Sequence, residues 1–432
     1  MSESLKRPGA AARAARRCRP RPQPRSEGDL RPTDVVGAFF ICGIGFLVAA
    51  IVVGVAQAVS PWPWGRWLAL HLAFVGGVSQ LVLGASQFFA GDFLATDPPP
   101  RMLVRGQLLA WNAGAIVLAI AVPERGAAAT WIAVGALLGG LALWGAAIAT
   151  MLRRSLRRSP WATRWYVSGA AFLAFGTLGG ALLARSVPWA HGNLLGAHMA
   201  LNLAGWFGAA IVGTLHTFFP SLTQTQLRWP GLQAVAFVAW TGGVGALALG
   251  YGWALDPLAL AGWLALCAGA LALLLNIAGC LRAAAGPLSL AARVVGVAQP
   301  FLLAGLLVAT VTALDDGPAH ALADSTRTAV GTLLVAGWIG LTVIGSLLHL
   351  LAVVVRVRGG FTAKMPVPRP GLDSTVAAAA VIGVATLALS QGAGLRSWRD
   401  PALVLALLAY ATLAGRVGVL AGRVLMRARP NI

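Results

Sequence analysis

Apolar runs of membrane-spanning length alternate with short polar stretches along most of this chain. A helix that crosses a bilayer needs about 20 predominantly apolar residues. The pattern predicts twelve, at about 34–58, 66–90, 103–122, 127–151, 163–184, 193–219, 231–252, 257–281, 292–314, 328–355, 373–391 and 400–424. Pro and Gly punctuate many of the connections, as in SPWPWG, TDPPPR, RWPG and PVPRPG. The predicted fold class is an all-α polytopic membrane protein with one membrane domain, residues 34–424. Residues 1–33 form a Pro/Arg-rich tail without an apolar segment, expected to be disordered, and residues 425–432 form a short C-terminal tail. Arg16-Arg17 has the form of a twin-arginine signal, but the apolar stretch that follows is of full spanning length, so an uncleaved first helix is expected.

The chain carries a formal charge of +20, and its placement sets the topology. With the N-terminus in the cytoplasm, the outer loops hold six Arg and six acids, and everything else holds 27 basic and seven acidic residues. That asymmetry is the positive-inside rule; it predicts both termini in the cytoplasm of a cell membrane and contact with anionic lipid, not with nucleic acid. Trp62, Trp64 and Trp67 read as an outer interfacial belt. The thirteen Asp and Glu fall in loops, in the tail or at helix ends. A proton pump or proton-coupled carrier needs a buried carboxylate as a relay, so both are disfavoured. The four cysteines form no CxxC pair and point to neither a disulfide framework nor a zinc site.

An internal repeat organises the spans. GWFGAAIVGTL at 205–215 and GWIGLTVIGSL at 337–347 share the pattern G-W-x-G-x4-G-[ST]-L at an offset of 132 residues. A fainter copy lies in the second span, HLAFVGGVSQLVLGAS, with His71, Gly77 and Gly84. These are spans 2, 6 and 10, each the second of a four-helix set, so twelve helices read as three pseudo-repeated sets of four. Functional sites in such proteins often lie at repeat interfaces.

Of six histidines, His191 and His320 fall in outer loops; the other four, His71, His198, His216 and His349, occupy the repeat-equivalent spans. His71 and His198 lie toward the outer surface, His216 and His349 toward the inner one. His198 and His216 are 18 residues apart, five helical turns or about 27 Å, so they share a face but not one metal ion. The same face carries Asn202, Gly205, Ala209 and Gly213. A strip of small residues flanked by imidazoles suits close helix packing or a flat macrocycle lying on the backbone. Imidazoles are ligands for haem iron and for copper, so His71, His198, His216 and His349 are the candidate ligands, paired as His71–His198 and His216–His349. Asn202 can orient the His198 ring, and Arg66 at the outer end of span 2 can meet a haem propionate. Arg416, well inside span 12, is expected to snorkel to the headgroups.

Twelve helices in three sets, with histidines on spans 2, 6 and 10, resemble the haem–copper oxidase subunit I superfamily. The segments HMALNLAGWFGAAIVGTLHTFFPSL and GWIGLTVIGSLLHLLAVVVRVR are similar to its divergent NnrS-type nitric-oxide-response relatives and to membrane modules fused to copper-oxidase or nitrite-reductase domains. The resemblance covers about residues 34–424. It implies haem, copper, or both near the interfaces of spans 2, 6 and 10, and a redox partner or copper-oxidase-type protein alongside the lipid bilayer. It matches His71 to a low-spin haem ligand and His198 to a copper ligand. Span 10 has one histidine where the family carries two, span 7 lacks the family's histidine pair, and no tyrosine neighbours a candidate ligand. An oxygen-reducing proton pump is therefore not expected. The function expected is a haem- or copper-binding membrane protein tied to nitric-oxide or nitrite metabolism or to electron transfer. The alternative is a cofactor-free transporter or scaffold, motivated by the repeats and by Gln299-Pro300, where a proline could break the ninth span near its midpoint.

Overall fold

The computed structural model describes residues 32–155, 161–359, 369–392 and 396–427, so residues 1–31 of the basic N-terminal tail and the last five residues lie outside the described residues. All twelve predicted spans are present: α1 (Thr33–Val59), α2 (Gly65–Leu94), α3 (Arg101–Ala121), α4 (Ala127–Arg154), α5 (Trp161–Ala184), α6 (Leu194–Thr223), α7 (Leu232–Gly252), α8 (Asp256–Ala283), α9 (Leu290–Asp315), α10 (Ser325–Val357), α11 (Pro370–Gln391) and α12 (Arg399–Met426). The described residues are helical with short connections and contain no strand. The face at which α1 begins is called the terminal face below.

The three sets of four are visible in packing. In α2, α6 and α10 a wide π-helical stretch interrupts the α-helix, over Leu72–Val78, Ala200–Gly208 and Thr332–Gly340. Within each stretch a glycine receives a phenylalanine ring from the preceding helix. A Cβ would lie 2.3 Å from Phe46 at Gly76, 2.6 Å from Phe172 at Gly205 and 2.5 Å from Phe301 at Gly337. These contacts make Gly76, rather than Gly77, the α2 counterpart of Gly205. The offset from the first set to the second is thus 129 residues. Ala95 and Gln224, which end α2 and α6 in left-handed conformation, keep that offset, as do Arg125 and Ala254 in the next loops.

Widening a helix disturbs its hydrogen-bond ladder and frees backbone carbonyls. In a bilayer a freed carbonyl has no water to turn to, so a side chain must supply the donor. Trp111 of α3 donates to Val75 O at 2.9 Å, and Trp240 of α7 donates to Ala204 O at 2.9 Å. In the third set the donor is Tyr410 of α12, bonded to Ala336 O. Trp111 and Trp240 in turn sit against Gly140 of α4 and Gly269 of α8, the same contact repeated 129 residues on.

Two expectations change. Pro300 does not break α9, which runs unbroken from Leu290 to Asp315. The neighbouring Gln299 steadies it by donating to Val295 O and Thr342 Oγ1 while accepting from Trp338 Nε1. Arg416 is not left to the headgroups alone; its guanidinium pairs with Asp373 in the first turn of α11, a carboxylate only 8% exposed. Neutralising a buried carboxylate by an adjacent arginine removes the cost of leaving either charge alone in apolar surroundings.

Replacing Trp240 by Phe leaves the Ala204 carbonyl buried and unpaired, at a cost of about 1–3 kcal/mol. Thermal unfolding in detergent checks this. Gly139, whose Cβ would meet nothing within 4 Å, serves as control: G139A should leave the midpoint unchanged or raise it.

Candidate functional site

His71 ends the first α-helical stretch of α2, one residue before the widened turn, on the face opposite the termini. Its ring stacks on Trp67, centroids 4.1 Å apart and planes 23° apart. Nδ1 lies 2.8 Å from Trp67 O. A carbonyl only accepts, so Nδ1 carries the proton and Nε2 presents its lone pair.

His198 sits two residues before the widened turn of α6. Its Nδ1 lies 2.8 Å from Gly176 O on α5, which again protonates Nδ1 and frees Nε2. Asn202 donates from Nδ2 to His198 O at 2.7 Å; the same nitrogen lies 3.2 Å from His198 Nδ1, which is itself a donor to Gly176 O, so the amide braces the backbone of His198 and not its ring. Glycines on α5 make the room: a Cβ at Gly176 would lie 2.4 Å from Asn202 Nδ2, and one at Gly180 2.8 Å from His198 Cε1. His71 and His198 are both half-buried.

The inner pair is arranged differently. His216 is buried, with Nδ1 2.8 Å from Val212 O and its ring nearly parallel to that of Trp165 on α5, centroids 6.4 Å apart. Its Nε2 has no hydrogen-bond partner. His349 instead packs edge-on against Phe218, two residues beyond His216 and therefore on another side of α6. The two inner imidazoles are thus directed to different neighbours. No group of three or more His, Cys, Asp or Glu placed to hold a metal ion occurs among the described residues.

The small-residue strip on α6 is a packing face. Asn202 meets Gly176, Gly205 meets Phe172, Ala209 meets Gly169 and Gly213 meets Trp165, all on α5. A macrocycle therefore cannot lie on it. Two chambers run along the repeat helices. One of about 90 Å³ lies among Phe40, Phe89, Tyr166, Phe218 and Leu347. One of about 80 Å³ lies among Met199, Trp240, Leu306 and Trp338. A ligand of drug size occupies a pocket of about 300–1,000 Å³, so neither chamber takes a haem. Of the arginines, Arg66 is exposed in the first turn of α2, Arg327 borders the smaller chamber, and Arg185 donates to Arg125 O at 3.0 Å, tying down a loop.

Sequence reasoning did not single out Trp67 as the stacking partner of His71, nor the α5 glycines that admit His198. Both leave a signal. Trp67 precedes His71 by four residues, one helical turn, and Gly176 and Gly180 form a G-x-x-x-G pair in the adjoining span.

No family model and no curated protein matches the chain. Among solved structures, the cryo-EM structure of a heme-copper terminal oxidase dimer is similar to it, with a TM-score of 0.70 over 93% of this chain and 85% of that one, at 13% identity. The chain has the subunit I-like fold of the haem–copper oxidases.

G180A should force His198 from its position and lower stability by about 1–3 kcal/mol. At Gly179 a Cβ would meet His198 Cβ only at 4.0 Å, so G179A should be neutral. Thermal unfolding of the two variants side by side separates them.

Proposed function

We propose that this protein is a membrane-integral metalloprotein that holds one metal ion between His71 and His198 and serves electron transfer or nitric-oxide and nitrite metabolism. One observation carries the reading. Two half-buried imidazoles at the same end of repeat-equivalent helices each give Nδ1 to a backbone carbonyl. That leaves both Nε2 atoms for a ligand, on two helices that meet just below them, where the Phe74 and Phe207 ring centroids are 5.1 Å apart. Metal-binding histidines are oriented in this manner, with the second ring nitrogen committed to a carbonyl or carboxylate.

Copper fits this donor set better than haem. Imidazole suits copper, a pair of imidazoles satisfies the cuprous ion, and the chambers beside the repeat helices are too small for a macrocycle. When bound, the ion supplies a one-electron couple. The protein's part is to fix the two rings: Trp67 by stacking, Gly176 by its carbonyl, Asn202 by bracing the backbone, and the α5 glycines by allowing close approach. His216 lies along Trp165 and His349 packs on Phe218, which supports assigning both to the packing of the inner half. The basic excess on one side supports cytoplasmic termini in a cell membrane, with the histidine pair facing outward toward a redox partner.

The test is elemental analysis of detergent-purified protein from metal- and haem-supplied cells, with oxidised and reduced absorption spectra on the same sample. We expect about one copper per chain, lost in H71A and in H198A and kept in H349A. Colourless protein without copper or iron would leave a cofactor-free transporter or scaffold.

A further inference from the structure

At the terminal face a vestibule of about 900 Å³ opens between the first and second sets of helices, bordered by the ends of α2, α4 and α6 and the starts of α5 and α7. Pockets of about 300–1,000 Å³ take organic ligands. Gln233, in the first turn of α7, borders this space and is only 9% exposed. Its backbone N–H donates to Pro230 O at 3.1 Å, but its side-chain amide has no partner among the described residues. The unpaired amide atoms of Gln87 and Gln107 are sealed from solvent; those of Gln233 are not, so the amide looks into the vestibule. Elsewhere a buried amide finds another, as Gln80 and Asn112 do at 3.0 and 3.3 Å. A polar group so deeply placed and left unpaired is costly, which points to a partner that enters the vestibule.

Two charges of opposite sign border the same space. Arg154 ends α4, and Asp92 lies in the last turn of α2. Both are exposed, and neither forms an ion pair with a described residue. Asp97, also at the rim, is already engaged. Trp161 at the start of α5 supplies an aromatic wall. A cation, an anion and a neutral amide thus meet one cavity from three helices, and none of them is used by the others.

We propose that this vestibule binds a zwitterion of the dipeptide class, with its carboxylate on Arg154, its ammonium on Asp92 and its peptide group on Gln233. A guanidinium matches a carboxylate in bidentate fashion. Gln233 can donate to a peptide carbonyl or accept from a peptide N–H, according to which way round the ligand lies. A simple cation would be opposed by Arg154 and a simple anion by Asp92. A free amino acid has no amide between its charges. A molecule with opposite charges at its ends and an amide between them engages all three groups. The site is on the face opposite the histidine pair and is independent of it.

Calorimetric titration of the full chain in nanodiscs of neutral lipid with dialanine, at constant pH and ionic strength, tests the assignment. Saturable binding is expected, weakened tenfold or more in R154Q and in D92N and abolished in Q233L. N-acetyl-dialanine, which lacks the ammonium, and dialanine amide, which lacks the carboxylate, should each bind at least tenfold more weakly. Absence of dialanine binding, wild-type affinity in R154Q or D92N, or equal binding of either capped peptide would overturn the proposal. Arg154 and Asp92 are exposed, so R154Q and D92N leave the packing intact and decide the question even where Q233L fails to fold.

Discussion

The structure turns on backbone carbonyls that lipid cannot satisfy. Three helices widen at the same level, and each needs a donor from another helix for the carbonyl it frees. Trp111, Trp240 and Tyr410 meet that need at Val75, Ala204 and Ala336. The choice of residue is physical. Tryptophan carries one N–H at the end of a large apolar body, so it can reach across a helix interface and bring no second polar atom that needs a partner. In the third set the hydroxyl of Tyr410 on α12 takes the place of the indole N–H.

The same widened turns position the histidine pair. His71 and His198 stand at the entrance to their respective stretches, where a helix changes pitch. Such π-helical insertions are frequent at functional sites. A shift in pitch lets the residues before the turn face one neighbour and those after it face another. Below His198, the α6 face continues as Asn202, Gly205, Ala209 and Gly213 against α5. At His198 itself the ring packs against Gly180 of α5 and its Nδ1 reaches the Gly176 carbonyl, which leaves Nε2 without a bond to that helix. Close packing and ligand presentation thus share one face of one helix.

Much of this was legible in the residues. Spanning runs of apolar sequence are the strongest signal a chain can carry, and all twelve were present. The repeat was legible from two tryptophans in equal register, and the structure extends it to Phe46, Phe172 and Phe301, which single-sequence comparison could not pair because the helices between differ in length. The strip on α6 was legible as a strip, but not what covers it: glycines suit a macrocycle or a neighbouring helix equally well, and only the placement of α5 decides. Periodicity also put His216 and His349 at one depth without revealing that one ring lies along Trp165 and the other packs on Phe218. The Arg416–Asp373 pair eluded it for the same reason, since charge in a helix speaks to cost and not to partner.

A fold shared with a heme-copper terminal oxidase at 13% identity leaves the chemistry open, because the interior can be refilled. Here Trp206, Trp240 and Trp338 are buried, and the chambers beside the repeat helices measure about 80 and 90 Å³. Each tryptophan nitrogen has a partner: Ser79 for Trp206, the Ala204 carbonyl for Trp240 and Gln299 for Trp338. A core filled in this way is committed to holding helices together. What the scaffold leaves for chemistry is the pair of Nε2 atoms of His71 and His198 near one surface, where the widened turns begin and each Nδ1 is already committed to a carbonyl.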